Sequence, residues 1–116
     1  MEYSKEELEE LKHYCTKLSL LPEGGVNFIY MEGLRLPAGC TPSVCDALLC
    51  PVPKDGYPSR LYLSTEVKSP YTQNWNVRNF RIGEKNWFAF SRRIELANPT
   101  LAQVLVAHLT GFTRDK

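Results

Sequence analysis

Four cysteines, two histidines and an asparagine- and arginine-rich stretch are the residues of this chain that could carry chemistry. The cysteines are Cys15, Cys40, Cys45 and Cys50, and none follows Cys50. A thiolate acts as nucleophile or metal ligand only where its pKa is lowered and solvent reaches it. The spacing Cys40-x4-Cys45-x4-Cys50 offers three sulfurs and no C-x2-C knuckle, so a zinc site would need Cys15 or a distant histidine as fourth ligand. Buried thiols are the expected state, with no metal and no cofactor. Cys40, in the turn Gly39-Cys40-Thr41-Pro42, is expected to be the most exposed thiol and is the candidate for reactivity. His108 falls on the apolar face of a predicted helix, as a satisfied half-buried histidine or as a base near a functional loop. The chain holds no Ser-His-Asp order, Gly-x-Ser-x-Gly elbow, P-loop or dinucleotide fingerprint.

The other chemistry-bearing stretch spans residues 75–93. Arg78, Arg81, Lys85, Arg92 and Arg93 stand there against Glu84, whereas residues 2–10 hold five glutamates against Lys5. These are two solvated faces, or a basic surface beside a functional loop that attracts an acidic partner. Ser91-Arg92-Arg93 could orient a carboxylate through a guanidinium fork. Adjacent strand residues point to opposite faces, so at most one of the two arginines does this. Trp87, Phe88 and Phe90 are expected in the core.

These residues must be held by a single domain, 1–116, of ordinary composition: 43% hydrophobic and 23% charged. No apolar run approaches the roughly 18 residues that span a bilayer. The acidic N-terminus lacks the pattern of a secretory signal, so a cytoplasmic location with reduced thiols is expected. Ser4-Lys5-Glu6-Glu7 is a capping box, and Leu8, Leu11, Cys15 and Leu18 make an apolar stripe, predicting a helix that ends by Leu21-Pro22. Strands are predicted over 26–31, 43–52 and 61–67, with Gly33 an end or a bulge and Asp46 the awkward polar member. Residues 68–86 read as a loop holding at most a short strand, and 87–94 as extended. Asn98 and Pro99 predict the start of the last helix; Leu101, Val104, Leu105, His108 and Leu109 share its inner face, and Gly111 stops it. The predicted class is α+β: an N-terminal helix, an antiparallel meander of about four strands, a long loop and a C-terminal helix.

That order, with Tyr57-Pro58-Ser59-Arg60-Leu61-Tyr62-Leu63-Ser64 and a tryptophan ahead of the final helix, resembles the ubiquitin-conjugating (UBC) superfamily. Leu36-Pro37-Ala38-Gly39, Gly56-Tyr57-Pro58 and Trp87-Phe88-Ala89-Phe90-Ser91-Arg92 resemble its compact bacterial group, prokaryotic family E, across residues 4–112. The resemblance implies a UBC-like fold and a role in a bacterial ubiquitin-like conjugation pathway, with a ubiquitin-like protein and its activating enzyme as partners. The family's His-Pro-Asn motif is missing, and no cysteine stands near Asn79, where the active-site thiol would fall. The resemblance therefore implies an atypical carrier or, preferably, an adaptor, with enzymatic activity not expected. Asn76 or Asn79 would hold an oxyanion, with Cys40 and His108 the remaining catalytic candidates. Binding would fall to Tyr57, Pro58, Arg78, Arg81, Trp87, Ser91 and Arg92, with Ser91-Arg92-Arg93 suited to the C-terminal carboxylate of a ubiquitin-like protein. The first helix is acidic where the family's is usually basic. The alternative is a single-stranded nucleic-acid-binding module using the aromatic and basic stretch 75–93, against which stand the net charge of +1 and the glutamates of the first helix.

Overall fold

The computed structural model describes residues 3–71 and 73–113. Helix α1 (Lys5–Leu11) leads into β1 (Lys17–Glu23), β2 (Val26–Arg35), β3 (Val44–Cys50), β4 (Arg60–Leu63), β5 (Trp75–Ile82) and β6 (Lys85–Phe90), and α2 (Leu101–Leu109) closes the order. The strands form one antiparallel sheet in the order β1-β2-β3-β4-β6-β5. This corrects the UBC-like plan. A UBC fold is helix-rich around a four-strand sheet, whereas here six strands carry the structure and both helices are short.

Two segments account for the difference. The N-terminal helix does start at Ser4, whose Oγ accepts from Glu7 N at 3.1 Å. It stops at Leu11, continues as a 3-10 turn over Lys12–Tyr14, and Cys15 is extended at φ −142°. Residues 17–21, expected as the last part of the helix, lie in β1. The cause lies in Gly24-Gly25, which join β1 to β2 with Glu23 opposite Val26 and both glycines at positive φ (58° and 81°). A two-residue loop of that geometry matches strand twist and closes a tight hairpin. The second segment is 75–82, expected as loop. It pairs with β6 across a second two-residue turn, Gly83-Glu84, at φ 58° and 65°. Two irregularities bend β5, between Trp75 and Val77 and between Val77 and Phe80. Asn79, at φ 57°, sits in the second. These bulges break the period-2 pattern that would have marked the strand.

Strand alternation sorts the core onto two faces. Ile29, Met31, Ala47, Leu49, Leu61 and Leu63 pack beneath both helices with Leu11, Leu101, Val104, Leu105, Leu109 and Phe112. Phe28, Leu48, Cys50, Tyr62, Trp87 and Ala89 form a second cluster on the other face. Gly33 (φ 68°) is the bulge in β2, and its N–H donates to Asp46 Oδ1 at 3.0 Å, which accounts for an aspartate in β3. Helix α2 is capped by Thr100 and Gln103 rather than by Asn98. Its inner face is the predicted one, with Leu101, Val104, Leu105, His108 and Leu109 all buried. No helix among the described residues is long and apolar enough to cross a membrane.

Candidate functional site

The start of β4, the start of β5 and the end of β6 meet through polar side chains. Tyr57, held by mutual backbone bonds with Lys54, presents its hydroxyl 2.8 Å from Ser91 Oγ. Asn76 Nδ2 donates to the same phenol oxygen at 3.0 Å, and Asn76 Oδ1 accepts from Arg60 Nη2 at 2.7 Å. Arg60 Nη2 also donates to the carbonyl of Phe90 at 3.2 Å. The Arg60 guanidinium carbon lies 4.2 Å from the Tyr57 ring centroid and 5.9 Å from that of Tyr62. Arg93 reaches the rim, donating from Nη1 to Gly56 O at 2.6 Å and pairing through Nε with Glu95.

Arg60 is the unusual member. It is 3% exposed, yet among the described residues no carboxylate pairs with it. A buried charge is costly unless it is hydrogen-bonded and balanced. Here a carbonyl, an amide and two ring faces solvate the cation but leave its charge uncompensated. Its field reaches the surface through Tyr57. The Tyr57 phenol is held below its ordinary pKa, first by the Ser91 hydroxyl, then by the Asn76 amide and by the Arg60 and Arg93 charges. Three neutral donors and two cations therefore converge on one exposed edge, an arrangement that favours a bound anion.

Of the residues expected to act, the fold brings Tyr57, Asn76 and Ser91 into one network, with Pro58 beside them in the chain. Arg92 turns the other way and caps α2, donating from Nε to Ala107 O at 2.9 Å. Arg78 is exposed and paired with Glu66, and Arg81 and Asn79 are exposed on β5 away from the network's hydrogen bonds. Trp87 is wholly buried, its indole N–H donating to Ile82 O at 3.0 Å. Burial of Trp87 and Phe90 withdraws two of the rings that a base-stacking surface over 75–93 would have used. Arg60 was missed, because an arginine opening an otherwise apolar strand reads as an edge residue. The one available signal was its place between Tyr57 and Tyr62.

The thiols do not form a reactive centre. Cys40, expected to be the most exposed, is 8% exposed and packs into the helix-side core. Burial raises all four thiol pKa values, Cys45 to about 11. Cys45 and Cys50 are an odd number of strand residues apart, so they point to opposite faces, and Cys50 belongs to the second cluster. Among the described residues no three His, Cys, Asp or Glu side chains converge as a metal site would need. His108 is buried with Nε2 2.9 Å from Ser59 Oγ, and desolvation, with Arg92 and Arg60 nearby, lowers its pKa to about 3. A base that weak takes up little proton at neutral pH.

No family model, curated protein or solved structure matches this chain.

Proposed function

We propose that the chain is a non-catalytic recognition module that binds a partner's carboxylate at Tyr57, Asn76, Ser91 and Arg93. The observation that carries this reading is Arg60, a buried guanidinium with no acidic partner among the described residues, set directly under the half-buried ring of Tyr57. Its charge is balanced when an anion arrives. Tyr57, Ser91 and Asn76 supply hydrogen bonds, and Arg93 exchanges Glu95 for the incoming group. A C-terminal carboxylate fits this set, being planar, exposed and doubly accepting.

The motifs that resemble prokaryotic family E supply the biological context, and they run through this same site: Tyr57-Pro58 precedes β4, and Ser91-Arg92 follows β6. The partner is then the C-terminus of a ubiquitin-like protein in a bacterial conjugation pathway, with the activating enzyme as the second contact. The protein is an adaptor there, and the role is a cytoplasmic one. The sheet-rich fold does not enter this reading.

The test mixes the protein with a bacterial ubiquitin-like protein and its activating enzyme from the same organism, with and without ATP. A non-covalent complex is expected, weakened about tenfold by Arg93→Glu and by removal of the ubiquitin-like protein's last residues. A thiol-sensitive covalent adduct would make the protein a carrier. Failure to bind either protein ends the pathway reading.

A further inference from the structure

A second surface lies across the molecule's helices. Leu101 N donates to Glu7 Oε2 at 3.0 Å, which fixes α1 beside the start of α2. Along this junction runs a groove of about 610 Å³ lined by Tyr14, Leu96, Ala102, Val106 and Ala107. Leu96 and Val106 are 49% and 43% exposed there, two of the few large apolar side chains the fold leaves in water. At Glu10 and Thr100 the groove continues into a depression of about 780 Å³ along α1, lined by Glu6, Glu9 and Glu10 with Lys5 and His13. Glu7 is engaged with Leu101 and Ser4, and Glu9 pairs with Lys12 at 3.1 Å. Glu6 and Glu10 have no ion-pair partner among the described residues.

We infer that this groove docks an amphipathic basic segment of a partner protein. Its apolar side chains fill the space between Leu96 and Val106, and its lysines or arginines lie against Glu6 and Glu10. Charge decides the occupant. The rim has four glutamates, Glu6, Glu7, Glu9 and Glu10, against Lys5 and Lys12, and is net negative. A second copy related by two-fold symmetry would bring the same acidic helix to its own groove, like charge against like. An uncharged apolar segment would leave Glu6 and Glu10 unused. Apolar anchors with a complementary charged rim are the pattern of helix-in-groove recognition. The groove shares no lining residue with Tyr57, Arg60, Asn76, Ser91 or Arg93, so the inference stands whether or not that site binds a carboxylate.

The test titrates the full chain with a fluorescent Leu/Lys amphipathic peptide, its Leu/Glu counterpart and a Gly/Lys peptide of equal charge, by anisotropy. Expected is binding of the Leu/Lys peptide alone. Val106→Asp and Leu96→Ser should each weaken it about tenfold, and the double variant Glu6→Lys/Glu10→Lys at least as much, with the salt dependence reduced. Glu23→Lys, at the far end of β1, should change nothing. All five positions are exposed, so far-UV circular dichroism should be unaltered in every variant. Equal binding of the Gly/Lys peptide, binding insensitive to Val106→Asp and Leu96→Ser, or sedimentation showing that these residues instead mediate self-association would each overturn the inference.

Discussion

The Arg60 guanidinium is stacked 4.2 Å under the ring of Tyr57, and the two side chains are joined a second time through Asn76, which accepts from one and donates to the other. The contact holds a tyrosine at the surface by means of a charge in the interior. That is an expensive way to place an aromatic ring. An apolar residue at position 60 would hold the ring by packing alone.

Arg60→Met should therefore leave stability unchanged or raise it, because the long apolar side chain fills the same space and removes a buried uncompensated charge. Carboxylate binding should fall by an order of magnitude or more in the same variant. Urea unfolding and peptide titration read the two effects separately. A loss of stability above about 2 kcal/mol would mark Arg60 as a structural residue.

Tyr57 ionisation reports the network directly. Ser91→Ala removes the principal cause of the lowered pKa and should raise the Tyr57 value towards that of an ordinary phenol. Arg93→Gln should raise it less. The readout is phenolate absorbance against pH, with Tyr57→Phe identifying the residue among the six tyrosines. A depressed phenol pKa contributes stability that is fully present above the ordinary value near 10 and is lost as pH falls through the folded value, so at pH 7 any change in either variant reflects only the lost hydrogen bonds of Ser91 or Arg93, and the ionisation-linked difference emerges only at alkaline pH.

Local chemistry made part of this structure legible. Ser4 with Glu7, the buried face of α2 and the bulge at Gly33 follow from cap, period and glycine rules that act within a few residues. The boundary between α1 and β1 was not legible from the Leu8-Leu11-Cys15-Leu18 stripe, because those residues suit helix or strand and the decision rests on β2 as a partner. Gly24-Gly25 was the overlooked signal. It reads as a chain stop after a helix, and equally as a hairpin turn. β5 was hidden for a different reason: its bulges at 76 and 78–79 put polar residues out of step with any strand period. Tyr57, Asn76 and Ser91 could be named one by one, but their convergence depends on β6 pairing with β4, a long-range contact with no local signature.

The glycines at positive φ should separate into two costs. Gly25→Ala, in the β1–β2 turn at φ 81° with nothing near the added methyl, pays only for backbone conformation, about 1 kcal/mol. Gly33→Ala pays that and more, because its methyl would fall 2.5 Å from Thr16 Oγ1, which itself donates to Glu32 O. A loss of about 2–3 kcal/mol is expected, partly recovered by adding Thr16→Ala. Denaturant midpoints compare the four proteins, and equal losses for Gly25→Ala and Gly33→Ala would remove the steric part of the argument.

His108 should set the acid limit of the fold. Burial, with Arg92 and Arg60 nearby, lowers its pKa to about 3, against about 6.5 in the unfolded chain. Between these values the unfolded state binds a proton that the folded state refuses, so stability rises with pH across this window and is lost as pH falls below about 6.5. The loss reaches about 4–5 kcal/mol near pH 3, a large share of a small domain's stability. The neutral ring also keeps its bond to Ser59 Oγ, which protonation of Nε2 would restrict to a single direction. His108→Gln keeps a hydrogen-bonding group beside Ser59 and does not titrate. It should cost some stability at pH 7 through poorer packing and should lose less between pH 6.5 and pH 4 than the parent chain. Urea unfolding at closely spaced pH values measures both slopes. Identical slopes would show that carboxylates, and not this histidine, govern acid unfolding.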